Sequence, residues 1–203
     1  MIHTSKTDEY TKLKNSLQQC TAKPDTLSEA KLQALLNVFH MHKFSKNVVL
    51  VNQGDLWTKV YFVDLGIVRL FINTPDGREF NKNFFSEGNF FWPATPMTRT
   101  RPSLFSIGTL EPSHIWIADF ALFQKQLAAI NRWEAFALLF AETLADQKFE
   151  REYEFLTFNA EERYLSLLKQ APQLVERIPD YHLASYLGIT NVTLSRIRRR
   201  CRF

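Results

Sequence analysis

Cysteine is nearly absent from this chain of 203 residues. The two present, Cys20 and Cys201, stand near opposite ends with no CxxC or Cys/His spacing around them. That argues against a disulfide framework, a structural zinc or an iron–sulfur cluster, and suits a reducing cytoplasm. No stretch approaches the ~18 uninterrupted apolar residues of a membrane span, and the opening MIHTSKTDEYTKLKNS lacks an apolar signal segment. A soluble, cytoplasmic protein is expected. GxSxG, HExxH, P-loop and GxGxxG patterns are all missing, so no catalytic residue, no cofactor and no metal site is expected.

What the chain has in quantity is aromatic side chains. Eighteen Phe and four Trp, each worth roughly 1.5–3 kcal/mol when buried, supply enough apolar surface for one large domain and a small one. The net charge of +4 is too small to make the whole surface a polyanion binder. The basic residues are unevenly spread, however, and five arginines fall between Arg196 and Arg202.

Hydrophobic periodicity divides the chain. A capping pattern at Thr26-Leu-Ser-Glu29 precedes AKLQALLNVFHMHKF, in which Leu32, Leu35, Leu36 and Phe39 share a helical face. From about Lys43 to Ile117 the runs VVLV, VYFVD, IVRLFIN and EFNKNFF read as short strands. They are separated by turn sequences at Asn52-Gln-Gly54-Asp55, Leu65-Gly66, Pro75-Asp-Gly77 and Glu87-Gly88-Asn89. Asp119 caps a following helix, and the segment from Asn131 to about Phe155 contains neither Gly nor Pro and reads as one long helix. Its apolar stripe of Trp133, Phe136, Phe140 and Leu144 could pack on the chain's own barrel, but the helix outgrows a small barrel, and pairing with a second subunit through this stripe is the expectation. Asn159-Ala-Glu-Glu162 starts another helix, stopped at Pro172, and Arg177-Ile-Pro179-Asp180 connects to the terminal segment.

That terminal segment, LASYLGITNVTLSRIRRR, meets the requirements of a helix-turn-helix. Ala184 supplies the small residue at the helix crossing, Gly188 the turn, and Leu183, Leu187, Ile189, Leu194 and Ile197 a small core. Thr190 is placed to cap the second helix, whose early residues Asn191, Val192, Ser195 and Arg196 would face the major groove. Asn can read adenine, Arg guanine, and Val192 can touch a thymine methyl. Arg198, Arg199, Arg200 and Arg202 suit phosphates. Three residues follow Arg200, so no wing is expected after the reading helix, and the Pro172–Pro179 connector is short for a β-hairpin ahead of it.

In this order of elements, and above all in LASYLGITNVTLSRIRRR, the chain resembles the CRP/FNR family of bacterial transcription regulators. The resemblance implies an α+β fold: an N-terminal antiparallel β-roll of the jelly-roll type with flanking helices (residues 1–130), a long dimerisation helix (131–158) and a C-terminal helix-turn-helix (159–203). It implies a homodimer on double-stranded DNA, a small-molecule effector in the roll, and RNA polymerase as a further partner. Cyclic-AMP-binding members carry a Gly-Glu pair and an Arg-Ser pair in the pocket, a carboxylate for the ribose and a guanidinium for the phosphate. Here Gly88-Asn89 stands for the first and Pro102-Ser103 for the second, with Arg101 displaced by one residue, which in a strand turns a side chain to the other face. Gly88, Asn89, Phe90, Arg101 and Ser103 are thus the candidate effector residues, and cyclic AMP is not the expected effector. Two alternatives stay open: a cupin-like metalloenzyme, which would need His40-Met-His42 on a strand, and a degenerate relative that binds protein instead of DNA.

Overall fold

The computed structural model describes residues 10–21 and 27–201. Among the described residues, eight strands form two antiparallel four-stranded sheets. They are β1 (His40–Phe44), β2 (Val49–Val51), β3 (Lys59–Leu65), β4 (Val68–Asn73), β5 (Glu79–Phe85), β6 (Phe90–Phe91), β7 (Ser106–Thr109) and β8 (Ser113–Asp119). One sheet runs β1-β8-β3-β6 and the other β2-β7-β4-β5. Helices flank this core: α1 (Thr11–Cys20), α2 (Glu29–Leu36), α3 (Pro96–Thr100), α4 (Phe120–Ala129), α5 (Trp133–Thr157), α6 (Ala160–Gln170), α7 (Pro172–Arg177), α8 (Asp180–Leu187) and α9 (Asn191–Arg200).

Strand β3 explains why VYFVD carries no polar alternation. Tyr61 and Val63 point between the sheets, while Val60 and Phe62 point outward into the layer of helices, so both faces are buried. Gly66 closes the turn to β4 at φ 105°, and a Cβ there would overlap the Ser113 side chain, so the position has room for glycine alone.

Several sequence expectations shift. Helix α2 ends at Leu36, and His40–Phe44 is a strand: Met41 pairs with Trp116 and His42 with Ile115 on β8. Pairing with a strand buried in the sheet outweighs the local helix pattern, and Phe39 is buried although it has left the helix. The cap of α2 is Ser28, in extended backbone; Thr26 lies outside the described residues. Pro172 both stops α6 and starts the short helix α7, since its missing N–H is harmless in a first turn. The caps at Asp119 and Asn159 form as expected, the latter as a full capping box with Glu162.

The stripe expected to pair two subunits mostly packs at home. Phe136 is 2% exposed, with its ring 5.3 Å from Phe123 and 5.9 Å from Phe90. Trp92 lies 5.3 Å from Trp133 and 5.1 Å from Phe140. Trp133, Phe136 and Phe140 therefore belong to the core between the first sheet and the helices, and Leu144 is half-buried. Leu138, Phe149, Tyr153 and Leu156 are instead the most exposed large apolar residues along α5, at 59, 72, 60 and 79%. Phe136→Ala should cost about 3–5 kcal/mol of stability, because the ring packs with four others that cannot collapse into its space. Urea denaturation measures this, and a loss under 1 kcal/mol would contradict the packing.

Candidate nucleic-acid interface

Helix α8 ends in a Schellman closure: the Ile189 N–H donates to the Ala184 carbonyl (3.0 Å) and the Gly188 N–H to that of Ser185 (3.3 Å), with Gly188 at φ 69°, ψ 34°. Thr190 then caps α9 in extended backbone, its hydroxyl accepting from the Thr193 N–H at 3.2 Å. Leu183, Ala184, Leu187, Leu194 and Ile197 are buried together. The face left outward carries Asn191, Val192 (60% exposed) and Arg196, with Ser195 half-buried at its margin.

The arginine run does not act as one unit. Arg198 lies one turn beyond Leu194 and beside Ile197, on the buried side of α9. Its guanidinium donates to Asp180 Oδ1 (2.6 Å) and to the Val175 carbonyl (3.1 Å), so it ties α9 to α7 and α8 and is not presented to a phosphate. The expectation for Arg198 is corrected accordingly; its place in the helical period carried that signal. Arg200 pairs with Glu161 at 2.9 Å. Arg196 and Arg199 are exposed, have no ion-pair partner among the described residues, and line a shallow groove with Thr193 and Arg200. Arg202 lies outside the described residues.

The five candidate effector residues do not converge. Gly88 and Asn89 form an exposed turn, where Asn89 Oδ1 accepts from the Ser86 N–H. Phe90 points to the helix side of the sheet. Arg101 is exposed at the end of α3, in a loop and not on a strand, so the register argument does not apply there. Ser103 spends its hydroxyl on the Phe105 carbonyl (2.7 Å). The inward guanidinium of this segment is Arg99, which lies over Trp92, Phe120 and Trp133 and donates to the carbonyls of Pro93 and Ala94. Between the sheets, Phe91 stacks on Tyr61 (4.8 Å) and on Phe85 (4.6 Å), and burial pushes the Tyr61 hydroxyl up to about 12. These rings, unmarked in the sequence, occupy the roll's interior.

His40 and His42 point to the opposite face of β1 from Lys43, the residue paired with His114, so the three histidines do not gather. Among the described residues no group of three or more His, Cys, Asp or Glu could hold a metal ion. No described helix is long and apolar enough to cross a membrane.

Comparison with known proteins agrees with this geometry. Residues 41–129 match the family model of the cyclic nucleotide-binding domain. No curated protein matches the chain in sequence. In solved structures the chain is similar to the c-di-GMP-responsive global regulator CLP of Xanthomonas campestris, at 16% identity and TM-score 0.66 over 85% of this chain and 91% of that one. FixK2 from Bradyrhizobium japonicum is similar at 20% identity and TM-score 0.66, over 80% of this chain and 84% of that one. The Thermus thermophilus catabolite activator protein is similar at 20% identity and TM-score 0.51, over 86% and 83%. The chain has the fold of the CRP/FNR regulators.

Within this CRP/FNR fold, the α8–α9 pair is seated firmly on the roll. Ser185 Oγ accepts from the Asn81 N–H (3.0 Å) and donates to the Glu79 carbonyl (3.1 Å), taking the place of a further strand along the free edge of β5. Arg177 donates to both oxygens of Glu87 (2.9 and 2.8 Å) and also pairs with Glu111. These bonds hold the Glu87 carboxyl down to about 2. His182 is 3% exposed, with Nδ1 3.2 Å from Asn81 Nδ2 and 3.3 Å from Arg69 Nη1. Desolvation, reinforced by the charges of Arg69 and Lys46 against the weaker opposing pull of Glu79, lowers its pKa to about 4. Sequence reasoning missed this contact because its residues lie about a hundred positions apart.

A histidine whose pKa falls on folding contributes stability that is full above its unfolded value, about 6.5, and lost as pH falls toward 4. Urea denaturation of the wild type should therefore lose about 2 kcal/mol between pH 7 and 4.5. His182→Asn should show a much flatter profile in that window, and identical slopes for the two proteins would refute the assignment.

Proposed function

We propose that this protein is a dimeric, sequence-specific DNA-binding regulator of transcription, acting in the cytoplasm, in which α8 and α9 are the helix-turn-helix and α9 enters the major groove. One observation carries the reading: the outward face of α9 presents Asn191, Val192 and Arg196 at its N-terminal end while Leu194 and Ile197 anchor its back. Asn191 and Arg196 are base readers, Val192 is a contact for a thymine methyl, Ser195 is a marginal contact, and Thr190 orients the first turn. Arg199 is the phosphate contact, with Arg200 available once it leaves Glu161.

Dimerisation is assigned to the exposed side of α5. Leu138, Phe149, Tyr153 and Leu156 would be left in water in a monomer, and a second copy of the same helix covers them symmetrically. Cyclic AMP is not the effector on this reading, since the roll offers ring faces where a ribose and a cyclic phosphate need a carboxylate and a free guanidinium. An effector of other chemistry and RNA polymerase remain the partners this reading admits.

The test is selection of bound duplexes followed by mobility shifts across a salt series. Arg196→Ala should relax preference at one base pair per half-site by roughly 1–3 kcal/mol. Arg199→Ala should weaken binding to all sequences alike and reduce the salt slope by about one. Arg198→Ala should lower the melting temperature while leaving the salt slope unchanged. A wild type that enriches no sequence would overturn the function.

For the dimer, Leu156→Glu should give a monomer in sedimentation equilibrium at micromolar concentration with an unchanged circular dichroism spectrum, whereas Phe140→Glu should unfold the roll. A dimeric Leu156→Glu protein would move the interface elsewhere.

A further inference from the structure

The last two turns of α5 and the first turn of α6 meet the end of α8 in one compact contact. Arg151 Nη2 donates to the Tyr186 carbonyl at 2.8 Å, and its guanidinium lies 3.9 Å from the centroid of the Tyr186 ring and 4.7 Å from that of Phe155. Arg163 donates to the Leu187 carbonyl (3.2 Å) and the Phe158 carbonyl (2.7 Å), and stands 4.9 Å from the Phe155 ring. Tyr186 and Leu187 are the final residues of α8, where carbonyls lack helical donors and cations are favoured. The Phe155 ring is thereby held against two guanidinium groups. It also faces the turn itself: a Cβ at Gly188 would stand 2.9 Å from a Phe155 ring carbon.

Phe155, 42% exposed, thus lies at the margin between two stiff bodies. On one side is α5, whose next residue, Leu156, is 79% exposed on the apolar side assigned to the dimer. On the other are α8 and α9, joined through Leu194 and Ile197. A helix the length of α9 is a lever of ~15 Å, so a rotation of about 15° at its hinge moves its far end by about 4 Å. That exceeds the ~3.4 Å rise of one base pair. Small changes at the ring would change which base pairs two symmetric reading helices reach.

We propose that Phe155 is a positioning residue for DNA reading: seated against Gly188 and held by Arg151 and Arg163, it sets, together with the seat of α8 on β5, the angle between the long helix and the reading pair, and through it the spacing of the two half-sites. The proposal rests on the DNA-binding reading above. It assigns Phe155 no contact with DNA, and a side chain that acted on stability alone would lower affinity for every duplex equally.

The experiment is selection from a random duplex library with the full chain, comparing wild type, Phe155→Ala and Phe155→Tyr. Wild type should return inverted half-sites at one spacing. Phe155→Ala should return the same half-site bases spread over two or more spacings, and Phe155→Tyr, which keeps the ring, should restore one. A single unchanged spacing for Phe155→Ala, with affinity alone reduced, overturns the proposal. A wild type that selects nothing overturns the DNA reading instead, and the ring's role is then decided by distances between spin labels at Cys201 and at Asp146→Cys in a Cys20→Ser chain. The distribution should be narrow with Phe155 and broad with Phe155→Ala; equal widths would show that the ring fixes no angle.

Discussion

The seat of the C-terminal helices on the end of the β-roll is the constraint on which the rest of this molecule depends. Helices α6 to α9 are short and amphipathic, and segments this small cannot remove enough apolar surface from water by packing only on one another. Ile67, Phe84 and Leu110 of the roll complete their core, joining Tyr164, Val175, Leu183 and Leu187. Polar groups ring this apolar centre and pair across it: Ser185 with the backbone of β5, His182 with Asn81 and Arg69, Arg177 with two carboxylates. Because the back of the helical pair is committed in this way, the outward face of α9 stays open to solvent.

Aromatic residues supply the stiffness of the roll in two separate layers. Outside the first sheet, Trp92 gathers Trp133, Phe136 and Phe140 of α5 and Phe120 of α4, with Arg99 lying over the cluster. Inside, Tyr61, Phe85 and Phe91 stack in parallel. The two layers are contiguous through the backbone of neighbouring residues Phe90 and Phe91 on β6, whose rings point to opposite faces. A ring that fills space between sheets serves packing first, and its face is available to nothing else. The same rings that stabilise this fold therefore fill the space between its sheets.

Charge in this protein is sorted by position on the helix more than by number. Five arginines stand close together in the sequence, yet among those described Arg198 is bound to Asp180 and Arg200 to Glu161, while Arg196 and Arg199 point outward. An arginine on the core side of a helix buries its stem and sends its head to the nearest acceptor. Each such pairing organises the fold and removes one cation from the surface.

Most of the architecture was legible in the sequence because it is written in local signals. The helix caps at Asp119, Asn159 and Thr190, the glycine hinge at 188 and the Gly- and Pro-free length of α5 act within a turn or two of backbone, where neighbours in sequence are neighbours in space. The face of α9 was legible for the same reason. What the sequence could not decide were choices made by distant partners. His40–Phe44 becomes a strand because β8 pairs with it, and Trp133, Phe136 and Phe140 turn inward because Trp92 waits about forty residues earlier. The candidate pocket residues fail to gather because α3 and its loop carry Arg101 outward. An apolar stripe specifies that something must cover it, and only the folded chain says what, since burial free energy is non-directional and goes to whichever surface arrives first in the right shape.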